Sequence, residues 1–263
     1  MSDILNKIVH RKREEVAERK KMMSETQLAG TPHFHKPGLS LSRFLVERSG
    51  IIAEFKRKSP SKPQINLDAV SSEIVPQYER AGASASSILT DIDFFGGSDE
   101  DLIKARPLVN IPILRKDFMI NPYQIIESKA LGADVILLIA EILSKSEIEE
   151  MAKLATELGM EVLFEVHTAE QLKKYHESIR NVGVNNRNLK TFVTDIRFSL
   201  DILPQIPNGV VKVSESGIDN TQTVVDLKKA GYEGFLIGEN FMKTSDPGAS
   251  CTEFINMINQ VKE

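Results

Sequence analysis

Seven residues of this chain have the types and spacing for acid–base chemistry on an anion. In Ile51-Ile52-Ala53-Glu54-Phe55-Lys56-Arg57 an extended backbone alternates its side chains, so Glu54 and Lys56 share one face and Ala53 and Phe55 the other. The same test on Leu163-Phe164-Glu165-Val166 sets Glu165 against Phe164 and Val166, and on Val182–Asn188 it puts Asn185 with Arg187. In Leu114–Phe118, Lys116 joins Leu114 and Phe118, and in Val211–Glu215, Glu215 joins Val211 and Val213. If the apolar face of the first segment packs on helices, five segments turn two lysines, three glutamates, an asparagine and an arginine toward one mouth. Any one of them alone reads as a rim salt bridge or a solvated strand end. All of them on one parity is harder to explain that way, because so many charges in an apolar-walled mouth are costly unless they pair or await a charged ligand.

A second signal points to an anion. Ser214-Glu215-Ser216-Gly217-Ile218 and Leu236-Ile237-Gly238-Glu239-Asn240 end the last two apolar runs in glycine turns, where backbone N–H groups can approach a phosphate closely. Lys58-Ser59-Pro60-Ser61-Lys62, after the first run, adds hydroxyl and ammonium donors, with a solvated basic loop as the plain alternative. Metal chemistry finds no signature. His33 and His35 share a loop without a carboxylate or Cys at ligand spacing, and His167 has no histidine four residues on. No nucleophile elbow supports a Ser/His/Asp hydrolase.

The elements that must hold these residues are eight apolar runs: Gly50–Arg57, Ala83–Asp91, Ile111–Phe118, Asp134–Ala140, Glu161–His167, Asn181–Asn188, Gly209–Gly217 and Gly234–Phe241. Their starts lie about 26 residues apart on average, room for a strand, a helix and two short loops. Ser144–Gly159, Thr168–Ser178 and Asn220–Gly231 have helical period, with Ser144 and Thr168 as expected N-caps and Gly132, Gly159 and Gly231 as stops. Strict alternation demands a parallel sheet, and eight units close a (β/α)8 TIM barrel without edges. An open doubly wound sheet is the competitor, but no G-x-G-x-x-G follows the first run. The expected organisation is one domain over 1–263, with an N-terminal helical extension over 1–48 and the barrel over 49–263. Ser2–Ser24 reads as a charged helix with Ile4, Ile8 and Val16 on one stripe, and Gly30–Ser40 as a linker. That helix either covers the bottom or side of the barrel or forms a lid on the site.

Composition restricts partners more than it names them. The 263 residues are 41% hydrophobic and 27% charged, which excludes disorder and disulfide-stapled miniatures. With 33 Lys+Arg against 37 Asp+Glu there is no general positive field for nucleic acid. The longest wholly apolar run, Val135 to Ala140, is far below the roughly 18 residues of a membrane span, and the N-terminus is unlike a signal peptide. A cytoplasmic protein binding neither nucleic acid nor membrane is expected. The single Cys251 reads as a core or surface thiol without a catalytic role.

Several strings are similar to one enzyme family: Ile52-Ala53-Glu54-Phe55-Lys56-Arg57-Lys58-Ser59-Pro60-Ser61, Ser87-Ile88-Leu89-Thr90 with Phe95-Gly96-Gly97-Ser98, Leu114-Arg115-Lys116-Asp117-Phe118, Val184-Asn185-Asn186-Arg187-Asn188-Leu189, and Ser214-Glu215-Ser216-Gly217-Ile218. Together, along essentially the whole chain, they resemble indole-3-glycerol phosphate synthase. The resemblance implies a carboxy-lyase of tryptophan biosynthesis that converts 1-(2-carboxyphenylamino)-1-deoxyribulose 5-phosphate to indole-3-glycerol phosphate, carbon dioxide and water, without cofactor or metal. It implies a monomer, with weak association to other tryptophan-pathway enzymes left open. By motif, Lys116 would be the general acid of ring closure and Glu165 would move a proton during dehydration. Lys56 would hold the anthranilate carboxylate, and Glu54 and Asn185 would orient the substrate. Ser59, Gly217, Gly238 and the amide of Glu239 would bind phosphate, with Glu215, Ser216 and Phe118 along the substrate. Arg187 would be a ligand contact or a partner of Glu54.

Two positions depart from the family pattern. Pro63 replaces a common glycine and stiffens its loop, and Glu239 replaces a common serine, so its carboxylate should turn away from phosphate and leave only its N–H facing it. Condensing an aryl carbon onto a ketone needs an acid at the oxygen, and a second lysine nearby is expected to lower the Lys116 ammonium toward working pH. Two other functions compete: a phosphate-binding barrel that has lost catalysis, which would have lost the acid or base, and a sugar-phosphate isomerase barrel, which would not need the extension or two inward lysines.

Overall fold

The computed structural model describes residues 3–188, 191 and 193–260. Ser2 of the expected first helix and Leu189 of the fourth family string lie outside them. Eight parallel strands close into a barrel in chain order: β1 (Ile51–Phe55), β2 (Ala85–Leu89), β3 (Ile113–Lys116), β4 (Val135–Ile139), β5 (Glu161–Val166), β6 (Asn181–Asn185), β7 (Val211–Glu215) and β8 (Gly234–Ile237), with β1 pairing β8. Each lies inside one of the eight apolar runs. The run ends extend past the ladders as loops, where side chains gain reach over the mouth.

Alternation along each strand separates two apolar layers. Ile52, Ala85, Leu114, Val135, Leu137, Leu163, Val213 and Leu236 fill the barrel interior, while Ile51, Ala53, Phe55, Ile88, Ile136, Phe164, Val182 and Phe235 face the helices. The interior core continues past both ends of the barrel. It takes in Leu5 and Ile8 of α1 (Asp3–Met22) at the mouth, and Leu41 and Leu45 of the helix Leu41–Glu47 at the bottom. Glu161 at the start of β5 anchors that bottom helix by accepting bonds from Ser40 Oγ at 2.6 Å and Ser42 N at 2.9 Å. The extension thus serves both expected places, a mouth cover and a bottom plug.

The helix Lys145–Glu157 begins in a capping box at Ser144 with Glu147, as its sequence asks. Thr168–Ser178 does not form the expected α-helix. It makes a 3₁₀ helix over Ala169–Lys174, and Thr168 makes no side-chain cap bond. Tertiary bonds override its period: Gln171 accepts from His167 N at 2.7 Å and donates to Glu141, while Lys174 Nζ reaches Ala140 O and Leu143 O at 2.7 and 2.8 Å.

Candidate active site

A cavity of about 340 Å³ opens at the C-terminal ends of the strands. Among its lining residues are Glu54, Lys56, Ser59, Lys116, Phe118, Glu165, Asn185, Arg187, Glu215, Ser216, Gly217, Gly238 and Glu239, every site residue expected from sequence. Lys116 stands at the centre. Its Nζ donates to Glu165 Oε2 at 3.1 Å and Glu215 Oε2 at 3.2 Å, joining β3 to β5 and β7 across the mouth. Beside it, Lys56 Nζ donates to Glu54 Oε1 at 2.5 Å. All three glutamates are buried, while both lysines keep part of their side chains open to the cavity. Asn185 Oδ1 accepts the Arg187 N–H at 3.0 Å, and Phe118 packs on Phe95 with ring centroids 5.9 Å apart to form an apolar wall.

These distances correct one expectation. Lys116 is not lowered by a neighbouring lysine; its ammonium is held well above the ordinary lysine range. Burial pulls it down, but the charges of Glu165, Glu215 and Glu54 together outweigh that cost. The repulsion expected from Lys56 fails because Lys56 is already paired with Glu54. Glu215 moves up, chiefly by burial and with the charge of Glu165 adding to it. For Glu165, burial is outweighed by Lys116, so it is held below the usual carboxylate range. Two carboxylates of one site have been pushed apart in acidity, as in enzymes that need an acid and a base together.

At the far side of the mouth the backbone takes over. Ser216 has φ of 69° and Gly217 of 76°, turning the chain sharply after β7, and Asn186 Nδ2 holds Ser216 O at 3.1 Å. Gly238 begins the short helix Glu239–Met242, whose first N–H groups have no partner within that helix. A Cβ at Gly238 would lie 2.3 Å from Glu54 Oε1, so only glycine lets the β8 turn pass this close to β1. Glu239 turns its carboxylate to Lys62 across the opening. Ser59 and Lys62 close a tight turn through mutual backbone bonds of 2.8 and 3.0 Å, and Pro63 follows directly. Arg187 donates to Ser61 Oγ at 3.1 Å, spanning the β6 and β1 loops, and Lys56 rather than Arg187 pairs with Glu54.

Sequence reasoning missed several contributors. Leu5, with Ile4 and Ile8 of the noted stripe, makes α1 a wall of the cavity. Lys12, on the same helix and 1% exposed, donates to Glu15 at 2.8 Å and pairs with Asp91 at 3.1 Å and Asp117 at 2.9 Å. No local pattern marks a lysine whose partners lie some 80 and 105 positions away in the chain, a span that only the closed fold supplies. His167 was weighed only as a metal ligand. Its Nε2 lies 3.3 Å from Glu165 Oε1 without hydrogen-bond alignment, and burial pulls its pKa below the ordinary imidazole value; its parity with Glu165 was the available signal.

The chain is similar over nearly its whole length to proteins of known activity. The family model for indole-3-glycerol phosphate synthase matches residues 5–254. The indole-3-glycerol phosphate synthase of Bacteroides thetaiotaomicron is 49% identical over 98% of this chain and 100% of its own length, and that of Bordetella pertussis is 40% identical over 97% and 100%. Among solved structures, the tryptophan synthase alpha chain of Legionella pneumophila superposes with a TM-score of 0.60 at 10% identity, covering 84% of this chain and 95% of that one. Thiamine phosphate pyrophosphorylase of Pyrococcus furiosus gives 0.59 at 14% identity over 81% and 96%; both share the barrel alone. By sequence over nearly its whole length, this chain belongs to the indole-3-glycerol phosphate synthase family, decarboxylating lyases of tryptophan biosynthesis.

Proposed function

We infer that the residues of the mouth divide the family reaction between a carboxylate end, a proton-transfer centre and a phosphate end. The observation that carries this reading is the Lys116–Glu165–Glu215 cluster, set between the Lys56–Glu54 pair and the glycine turns after β7 and β8. Lys56, with one carboxylate partner and an open flank, takes the anthranilate carboxylate and holds it out of the ring plane. The aryl carbon then attacks the ketone, and Lys116 gives a proton to the forming alkoxide. A strongly held ammonium still donates here, since an alkoxide is far more basic than an amine. Carbon dioxide leaves without its bonding pair, which stays on the ring carbon and restores the aromatic ring. Lys116, reprotonated, assists departure of the hydroxyl as water, and Glu165, kept ionised, removes the proton that completes the indole.

Ser59, Gly217, Gly238 and the Glu239 amide hold the phosphate, with Ser216 and Glu215 beside the sugar chain, Glu54 and Asn185 orienting it, and Phe118 and Arg187 flanking it. The pairing of Glu239 with Lys62 supports this assignment, because it takes the carboxylate's charge away from a bound anion. Extension 1–48 and barrel 49–263 work as one unit, since α1 walls the site. No helix of the described residues is long and apolar enough to cross a membrane.

Indole fluorescence appearing from the carboxyphenylamino substrate tests the reading; binding of a phosphate analogue without product would overturn it in favour of a barrel that only binds. Gly238→Ala tests the phosphate end. The added carbon collides with Glu54 Oε1 and presses on Glu54 Cβ at 3.0 Å, so KM should rise about tenfold or more, ~1.4 kcal/mol of binding. An unchanged KM would move the phosphate away from the β8 turn.

A further inference from the structure

At the centre of the mouth the buried carboxylates outnumber the cations paired with them, because Arg187 turns its guanidinium to Ser61 and Thr194 at the rim. β1, β5 and β7 bring in three carboxylates, none more than 4% exposed, against two ammonium groups. Lys56 is committed to Glu54, which leaves Lys116 to serve both Glu165 and Glu215. The incoming substrate adds a carboxylate and a phosphate to this surplus. Of the two competing groups, Glu215 has the poorer site for a charge. Its Oε1 is buried without a hydrogen-bond donor, in a slot that exists because Gly183 has no side chain: a Cβ there would lie 2.2 Å from that oxygen. A bare ionised oxygen in such a slot is expensive, and a neutral acid much less so.

We propose that Glu215 works as a neutral carboxylic acid: the Glu165–Glu215 pair holds one shared proton in the form that accepts substrate, and the anionic substrate binds only to that form. Titratable neighbours facing Glu215 are Lys116 from β3 and Glu165 from β5, while β6 offers Gly183 and Asn185 and β8 offers Leu236, all uncharged. The Glu54–Lys56 pair of β1 acts on it through Lys116. The inference rests on the substrate reading above, and it adds a proton to the binding equilibrium. Above the upper titration of the pair, the free enzyme has lost that proton. Binding must then draw one from solvent onto the carboxylate pair, and affinity falls about tenfold per pH unit.

Calorimetric titration with indole-3-glycerol phosphate, in buffers of different ionisation enthalpy from about pH 7 to about pH 9.5, avoids the phosphate's own titration near pH 6. Uptake should climb from near zero toward about one proton, and Glu215→Gln should abolish it and flatten the pH dependence of Kd, whatever its Kd. Native enzyme without buffer-dependent heat, or a variant with undiminished uptake, overturns the proposal. Should the variant not fold or bind, infrared difference spectra of the native enzyme decide: a protonated buried carboxyl band must bleach over the same range, and its absence is equally fatal. Native turnover to indole-3-glycerol phosphate separates the two readings, since turnover without proton uptake sinks this inference and leaves the reaction assignment standing.

Discussion

Lys116→Met lowers kcat by ~10² or more while KM stays within about tenfold, the loss expected when a general acid is removed from a site that still binds its substrate. The substitution keeps length and removes the charge. Its structural side effect is limited for a reason visible in the cluster: without Lys116, Glu165 and Glu215 still hold one proton between them and stand as a single charge rather than two. Substrate contacts at the Lys56 and phosphate ends are not touched. A variant with nearly native kcat would remove Lys116 from the acid role, and a raised KM with that unchanged kcat would make it a binding residue instead. Because Lys116 is held above the ordinary lysine range, the native alkaline limb of kcat should not reflect this ammonium below about pH 10. A limb at lower pH belongs to the carboxylates.

How much of this was legible in the sequence depends on the range of the interaction. Period-two parity is local, so the inward facing of Glu54, Lys56, Lys116, Glu165 and Glu215 could be read from single strands. Closure into a barrel followed from counting alternating units. Acidity was not legible, because it depends on which charges meet: Lys56 was expected to repel Lys116, yet register across β1 and β3 gives each lysine carboxylates of its own. The segment after β5 misled for the same reason. Its helical period is real, but Gln171 and Lys174 find partners on the β4 and β5 loops that the period does not encode. The place of α1 stayed open since a hydrophobic stripe tells which face is buried and not against what.

Lys12→Met is the change expected to cost most in stability, about 3–5 kcal/mol, the range for removing one partner of a buried ionic group. Lys12 is the most deeply buried of the charges that fasten α1 over the mouth, beside Arg11 on Asp93 and Arg19 on Asp99 and Glu127, and its loss leaves Asp91 and Asp117, each 2% exposed, without their common cation. Neither aspartate is free to swing to water. Asp117 accepts from Thr90 Oγ1 at 2.7 Å and Phe118 N at 2.8 Å, and Asp91 caps Phe94 N at 2.8 Å. The pH dependence has a definite sign. Burial alone would raise Asp117, but Lys12 and then Arg115 bring it down to about 2, below its usual 3.8. Stability from that group is therefore present above about pH 4 and lost as pH falls toward 2. In the variant this acid-labile part should shrink, so native and variant unfolding curves in urea should draw together on acidification. Because Asp117 lies between Lys116 and Phe118, and Leu5 and Ile8 depend on the same helix, KM should rise with the stability loss. Adding Asp91→Asn should recover part of the lost stability by removing one of the two stranded charges. A single variant within about 1 kcal/mol of native, or a double variant worse than the single, would mean that α1 is held by its apolar stripe and that the ion pairs under it contribute little.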